Sequence, residues 1–226
     1  MQIIKPQHQI MSFPDPENAL GLLEAAGRTC YKSEDLITPV SASNFVQRIV
    51  NSGHLSVIEH VSVTVRLLCD RGITHELVRH RLAAYSQEST RYANYSQDKF
   101  GNELTFIAPL FWAPDSAIYG RWAAAMEAAE ETYLYLLKEG ALPQEARSVL
   151  PNSLKTEIVM SANLREWLHV FKMRCQQSAH PQAREIMLPL LREFSLRLPQ
   201  IFGGLDKEMA PEWRRMEKYP GWIPQK

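Results

Sequence analysis

The chain is short of thiols. Its 226 residues hold three cysteines, Cys30, Cys69 and Cys175, an odd number at wide spacing that suits neither a disulfide framework nor a thiolate zinc site. A reducing compartment is the expectation, and the three thiols read as small buried hydrophobes. No apolar run approaches the roughly 20 residues that span a bilayer. The start, MQIIKPQHQI, lacks the basic-then-apolar pattern of a secretory leader, so a cytoplasmic protein is expected. There is no charge excess either: 25 Lys+Arg balance 25 Asp+Glu, which gives no general attraction to nucleic acid or to an anionic membrane. Repeats, low-complexity tracts and long Pro/Gly/Ser linkers are also missing, so one unit over residues 1–226 is the reading. Neither GxGxxG after a strand nor GxxxxGK[ST] occurs. A nucleotide, if bound, is held some other way.

What is present is a mixture of helix and strand signals. Asp15 and Pro16 open an amphipathic helix carrying Leu20, Leu23 and Ala26, and a second helix runs through Phe45, Val46, Ile49 and Val50 to Gly53. Val61, Val63, Val65 and Leu67 alternate with Ser62, Thr64 and Arg66, a period of two that predicts a half-buried strand. With Asp70 as a cap, residues 71–86 are expected to be helical, stopping before Gln87; strands are expected at 103–109 and 154–162. The longest element is an Ala-, Leu- and Glu-rich helix from Asp115 to Gly140. A short helix at Pro143 and helices over 163–175 and 181–199 complete the reading. Strands occur singly among helices, which favours α+β with a small, mostly antiparallel sheet over a doubly wound parallel one.

The densest polar stretch is HELVRHRLAAYSQESTRY, residues 75–92. In a helix Glu76, Arg79 and His80 share a face, and in an extended segment Gln87, Ser89 and Arg91 point the same way. Together they offer guanidinium forks for phosphate, and amide, hydroxyl and carboxylate groups for a base. The same pattern also suits a solvated helix followed by a polar loop, and spacing alone leaves both open. Four histidines, His54, His60, His75 and His80, crowd the same region. They lack the HExxH frame of a zinc helix, and no metal is expected. Arg165, His169 and Arg174 occupy a later helix whose Trp167, Leu168 and Phe171 are expected to turn inward.

Arg79-His80-Arg81, seven residues, Ser89 and then Thr90-Arg91-Tyr92 resemble the signature of the flavin-dependent thymidylate synthases. GHLSVIEH at 53–60, ARSVLP at 146–151, NLREWLHVFKMR at 163–174 and SAHPQAREI at 178–186 extend the resemblance in the family's order. It implies a non-Rossmann flavin site and the reductive methylation of dUMP to dTMP. Methylenetetrahydrofolate would supply the carbon, and FAD reduced by NADPH the hydride. It also implies a homotetramer with active sites between subunits, and no nucleic-acid or membrane partner. Carried over by position, Glu76, Arg79, Gln87, Ser89, Arg91, Arg147 and Arg174 are implied for dUMP, with Arg91 and Arg147 on the phosphate and Arg174 catalytic beside the uracil ring. His54, Ser56, Arg79, His80, Arg81, Gln87, Asn163, Arg165 and His169 are implied for FAD, with His54 and Ser56 reaching a neighbouring subunit's flavin. The chain departs from some members at Glu76 (Gln), Ala84 (Ser), Ser86-Gln87 (Asn-Glu) and His169 (Asn).

Overall fold

The computed structural model describes residues 1–97 and 101–223. Strands β1 (Gln2–Ile4) and β2 (Gln7–Ser12) precede helices α1 (Pro16–Thr29) and α2 (Ser41–Asn51). Strand β3 (Ser62–Asp70) runs into the short helix α3 (Arg71–Leu77), followed by β4 (Ala83–Gln87) and β5 (Thr105–Ile107). Next come the long α4 (Ala117–Lys138), the single turn α5 (Pro143–Ala146) and β6 (Lys155–Asn163), which leads directly into α6 (Leu164–Cys175). Helices α7 (Pro181–Arg197), α8 (Pro199–Glu208) and α9 (Ala210–Met216) follow.

The alternating segment around Val63 behaves as its pattern requires. Val63, Val65 and Leu67 are fully buried, while Ser62, Thr64 and Arg66 point away from the core. Strand β6 has the same alternation, with Thr156, Ile158, Met160 and Ala162 inward, and pairs antiparallel with β3 so that Val65 faces Met160. The four-stranded antiparallel sheet has the order β2-β3-β6-β4, and β1 pairs parallel with β5 in a separate two-stranded ribbon. This is the α+β architecture with a small, mostly antiparallel sheet that the sequence indicated.

Helix starts follow local chemistry. Asp15 accepts from Asn18 N at 3.0 Å, Asp70 from Ile73 N at 2.9 Å and Asn163 from Glu166 N at 2.9 Å, each satisfying a first-turn N–H that has no partner inside the helix. Helix α6 then buries Trp167 and Phe171 against Phe194 of α7 and Phe202 of α8, and the Trp167 indole donates to Val63 O at 3.1 Å. That bond ties α6 to β3. Among the described residues, no helix is long and apolar enough to cross a membrane.

One expectation fails in a way that shapes the site. The helix expected over 71–86 stops at Leu77, and residues 83–87 form a strand. The segment RHRLAAYS has good helix propensity, but an edge of β6 is open to it. Ala83, Tyr85 and Gln87 pair opposite Ala162, Met160 and Ile158, and the ladder outweighs the propensity. The Tyr85 hydroxyl, shared between Leu77 O at 2.7 Å and His80 O at 2.8 Å, fastens the new strand to the turn it leaves behind. Arg79, His80 and Arg81 therefore sit in a tight connection between α3 and β4, not on a helix face. The extended run expected from Gln87 to Arg91 fails too. The strand ends at Gln87, and the chain turns at Ser89, whose carbonyl accepts from Tyr92 N and Ala93 N.

Candidate functional site

The site is organised around Arg174, in the last turn of α6, where the partial negative charge of the helix end favours a cation. Its guanidinium makes three directed bonds: Nε to His80 Nε2 at 3.0 Å, Nη1 to Glu76 Oε2 at 2.7 Å, and Nη2 to the Glu76 carbonyl at 2.8 Å. An arginine carries five N–H groups, so one on each Nη remains for a ligand. The Arg174 side chain is 16% exposed and that of Glu76 31%, so the fork is shielded but not sealed.

The expected common face of Glu76 and His80 is therefore replaced by a shared partner. The two residues lie on either side of the helix end, and Arg174 bridges them from 98 and 94 positions away in sequence. His80 is buried, and burial, then the Arg174 charge, then His169 push its pKa down to about 4. It is a neutral imidazole near pH 7.

Arg174 forms part of the wall of a cleft of about 1590 Å³ between the α3–β4 connection, α6 and α8. Arg79, His80 and Arg81 line one side, and Asn163, Arg165 and His169 another. Six of the nine residues implied for flavin thus meet in one depression. Lys172 adds a cation, Leu55 and Leu168 supply apolar surface, and Arg165 is held by Glu59 at 2.5 Å. Cationic forks beside an apolar wall are what a diphosphate joined to a flat ring system needs, so the lining fits a flavin dinucleotide. Arg79, Arg81 and Arg165 would hold its phosphates. Asn163 has less to offer, since its side-chain oxygen caps α6.

The remaining positions lie elsewhere in the chain. His54 precedes the tight helical turns at 55–60 and Ser56 lies within them; both are exposed and line neither this cleft nor the smaller one. Gln87 donates its amide N–H groups to the hydroxyls of Thr74 (2.9 Å) and Thr156 (3.3 Å), which leaves the amide oxygen for a ligand. Arg147 lines the second cleft, of about 480 Å³, with Arg71, His75 and Thr90, and its Nη1 reaches Thr90 Oγ1 at 3.5 Å. Ser89 sits at the turn beside it, and Arg91 stacks its guanidinium over the Tyr92 ring, 5.4 Å from the centroid. The residues implied for dUMP are thus divided. Glu76 and Arg174 form one group, and Arg147 with the Ser89–Arg91 turn forms another.

Sequence reasoning missed Glu166 and the α8 wall of Ile201, Leu205 and Glu208. Glu166 follows Asn163 by three, a spacing that signals only a helix start. Its carboxylate turns instead toward His80, with Oε1 3.5 Å from Nδ1. Helix α8 carried no polar motif. The histidines crowded in sequence do not form the cluster expected of a metal reading. Among the described residues the group with metal-capable spacing is His80, Glu166 and His169, whose donor atoms lie within 4.8 Å of one another. One nitrogen of His80, Nε2, already accepts from Arg174 Nε, its Nδ1 lies 3.5 Å from Glu166 Oε1, and its ring meets His169 edge-on with centroids 5.4 Å apart.

Fold and site define a non-Rossmann α+β protein with a clamped arginine in the wall of a cleft lined by Arg79, Arg81, Arg165 and Lys172. The family model described as thymidylate synthase complementing protein matches residues 12–200. A flavin-dependent thymidylate synthase of Geobacter sulfurreducens is 35% identical over 209 residues, covering 89% of this chain and 85% of its own. One from Corynebacterium glutamicum is 32% identical over 224 residues, covering 91% and 87%. Among solved structures, a UMP/dUMP methylase from Streptomyces cacaoi bound with 5-Br dUMP has the same fold, with a TM-score of 0.75 over 92% of this chain and 97% of that one, at 18% identity. The chain belongs to the flavin-dependent thymidylate synthase family.

Proposed function

We propose that this chain converts dUMP to dTMP by reductive methylation, with FAD as its flavin, methylenetetrahydrofolate as carbon donor and NADPH as reductant. The observation that carries the reading is the Arg174 fork, held by His80 and Glu76 in the wall of the cleft that gathers Arg79, Arg81 and Arg165. Arg79, Arg81 and Arg165 would hold a flavin there, which when reduced would supply the hydride needed to take a transferred methylene to a methyl group.

The chain's own residues bind and orient. Two Arg174 N–H groups are free to meet oxygen on a pyrimidine ring, where a fixed cation favours developing negative charge. Arg91 and Arg147 take the nucleotide phosphate, and Ser89 positions the nucleotide between them. An unassisted serine is a poor nucleophile, and the Ser89 hydroxyl accepts from Arg91 N at 3.3 Å. Gln87 contributes through its amide oxygen, and Glu76 and Arg79 frame the ring.

Residues 1–226 act as one catalytic domain of a cytoplasmic homotetramer. The division of the nucleotide residues between two clefts, and the exposure of His54 and Ser56, favour sites completed between subunits. His54 and Ser56 then reach a neighbouring subunit's flavin.

A visible absorption spectrum tests the flavin claim. Dialysed protein supplied with FAD is expected to retain a flavin band that NADPH bleaches anaerobically, and adding dUMP is expected to perturb the band. Failure to retain FAD in excess would refute the proposal.

The thiols are expected to stay out of the chemistry. Cys69 and Cys175 are buried, and burial raises both thiols well above their ordinary value, so neither supplies a thiolate to attack a pyrimidine. Cys30 is exposed and lies in neither cleft. Single alanine replacements of the three should leave dTMP formation largely intact. Its abolition by one of them, in a protein that still binds FAD, would point to a cysteine nucleophile instead.

A further inference from the structure

A long cationic side chain in an open cleft has many rotamers, and a productive direction has to be imposed on it. For Arg174 the Glu76 carboxylate and carbonyl hold the two Nη atoms, and His80 holds Nε. The last contact constrains more than distance. A guanidinium only donates, so His80 Nε2 must present its lone pair, and the single proton of the neutral ring must sit on Nδ1. Nδ1 faces Glu166 Oε1 at 3.5 Å. His80 and Glu166 are each only 6% exposed, and among the described residues His80 is the one basic side chain within ion-pair distance of the Glu166 carboxylate.

We propose that Glu166 and His80 are positioning residues for Arg174: the buried carboxylate selects the Nδ1–H tautomer of His80, and the Nε2 lone pair that this leaves sets the plane of the guanidinium. The inference rests on the thymidylate synthase reading for its catalytic consequence, not for its geometry. Each partner comes from a different part of the sequence. Glu166 opens α6 and Arg174 closes it, so one helix carries both ends of the chain of contacts, and His80 reaches between them from the α3–β4 turn.

The groups around His80 agree with this arrangement. Glu166, His169 and Arg174 face it from α6, Glu76 of α3 shares Arg174 with it, and Tyr85 of β4 donates to its carbonyl. With Arg174 on one nitrogen and burial all round, the ring is held neutral down to about pH 4. A doubly protonated ring would turn an N–H against the Arg174 donor and break the clamp.

Nitrogen-15 NMR of protein labelled at histidine, with the His80 signals identified by their loss in His80→Phe, reads the tautomer directly. The expected result is a neutral ring protonated at Nδ1 throughout about pH 5 to 8, shifting to a tautomer mixture in Glu166→Leu. An Nε2–H tautomer in the unmodified protein, or an ordinary titration near neutrality, would overturn the proposal. Kinetics then tests the consequence. Glu166→Leu and His80→Phe should each lower kcat for dTMP formation, measured at saturating FAD, by about tenfold to a hundredfold, as a misaimed group does, with a much smaller change in KM for dUMP. His80→Gln, whose side-chain carbonyl can accept from Arg174 Nε, should recover most of the loss. Unchanged kcat in both variants, or no recovery in a folded His80→Gln, counts against positioning. If the tautomer is as expected but the unmodified protein makes no dTMP, the proposed reaction fails and the geometry stands. If dTMP forms and the tautomer is wrong, only this inference fails.

Discussion

Arg174→Ala is expected to lower dUMP-dependent turnover by about a hundredfold to a thousandfold, the usual loss when a preorganised donor is removed from a developing anion. The side chain is the junction of the site, since His80 Nε2 and the Glu76 carboxylate both bond to it. Removing it frees Glu76, a carboxylate, beside the place proposed for an anionic nucleotide. Both effects act in the same direction. Arg174→Lys separates charge from geometry: an ammonium keeps the positive charge but has no planar fork to satisfy an imidazole, a carboxylate and a carbonyl while keeping N–H groups free for substrate. Lysine should therefore recover only a small part of the rate. Single-turnover formation of dTMP from the reduced enzyme, with FAD content and melting temperature recorded in parallel, checks both variants. Arg174→Ala with the full rate would remove the arginine from the mechanism.

The largest expected effect on stability is at Trp167. Its ring is fully buried, stacks on Phe171 with centroids 5.5 Å apart, packs on Phe194 at 5.2 Å, and donates its indole N–H to Val63 O. Trp167→Ala opens a cavity at the meeting of α6, α7 and the sheet and should cost about 3–5 kcal/mol, a melting shift on the order of 10 °C for a chain of this length. Trp167→Phe keeps most of the packing but drops the donor, and should cost about 1–3 kcal/mol. Denaturation followed by circular dichroism measures both. Equal losses in the two variants would show that the bond to Val63, not the ring volume, is what joins α6 to the sheet. The functional link is through position: α6 carries Glu166, His169 and Arg174, so loosening its seat on β3 should also reduce flavin retention.

How much of this was legible beforehand differs from element to element. The β3 and β6 patterns declared themselves because each strand has one face in the core, which writes a period of two into the sequence. Strands β1 and β2 did not, because most of their residues are exposed and none is fully buried. Helix α6 was legible from the inward-turned Trp167 and Phe171, and its Asn163 cap emerged only in the structure. The 71–86 segment was misread because helix propensity is local, whereas the open edge of β6 that captures Ala83–Gln87 lies about 75 residues further along. Glu166 was invisible as a site residue because its spacing from Asn163 already has a sufficient local explanation.

The sequence by itself determined which residues are available and to which family they belong, since the arginines, histidines and their spacing are written in linear order. The tertiary structure alone decided which of them meet. His80 and Arg174 are 94 residues apart, and their contact exists because β4–β6 pairing ends α3 early and turns His80 toward the last turn of α6. Helical spacing places neighbours on a face, but only long-range pairing and packing can bring the middle of one segment to the end of another.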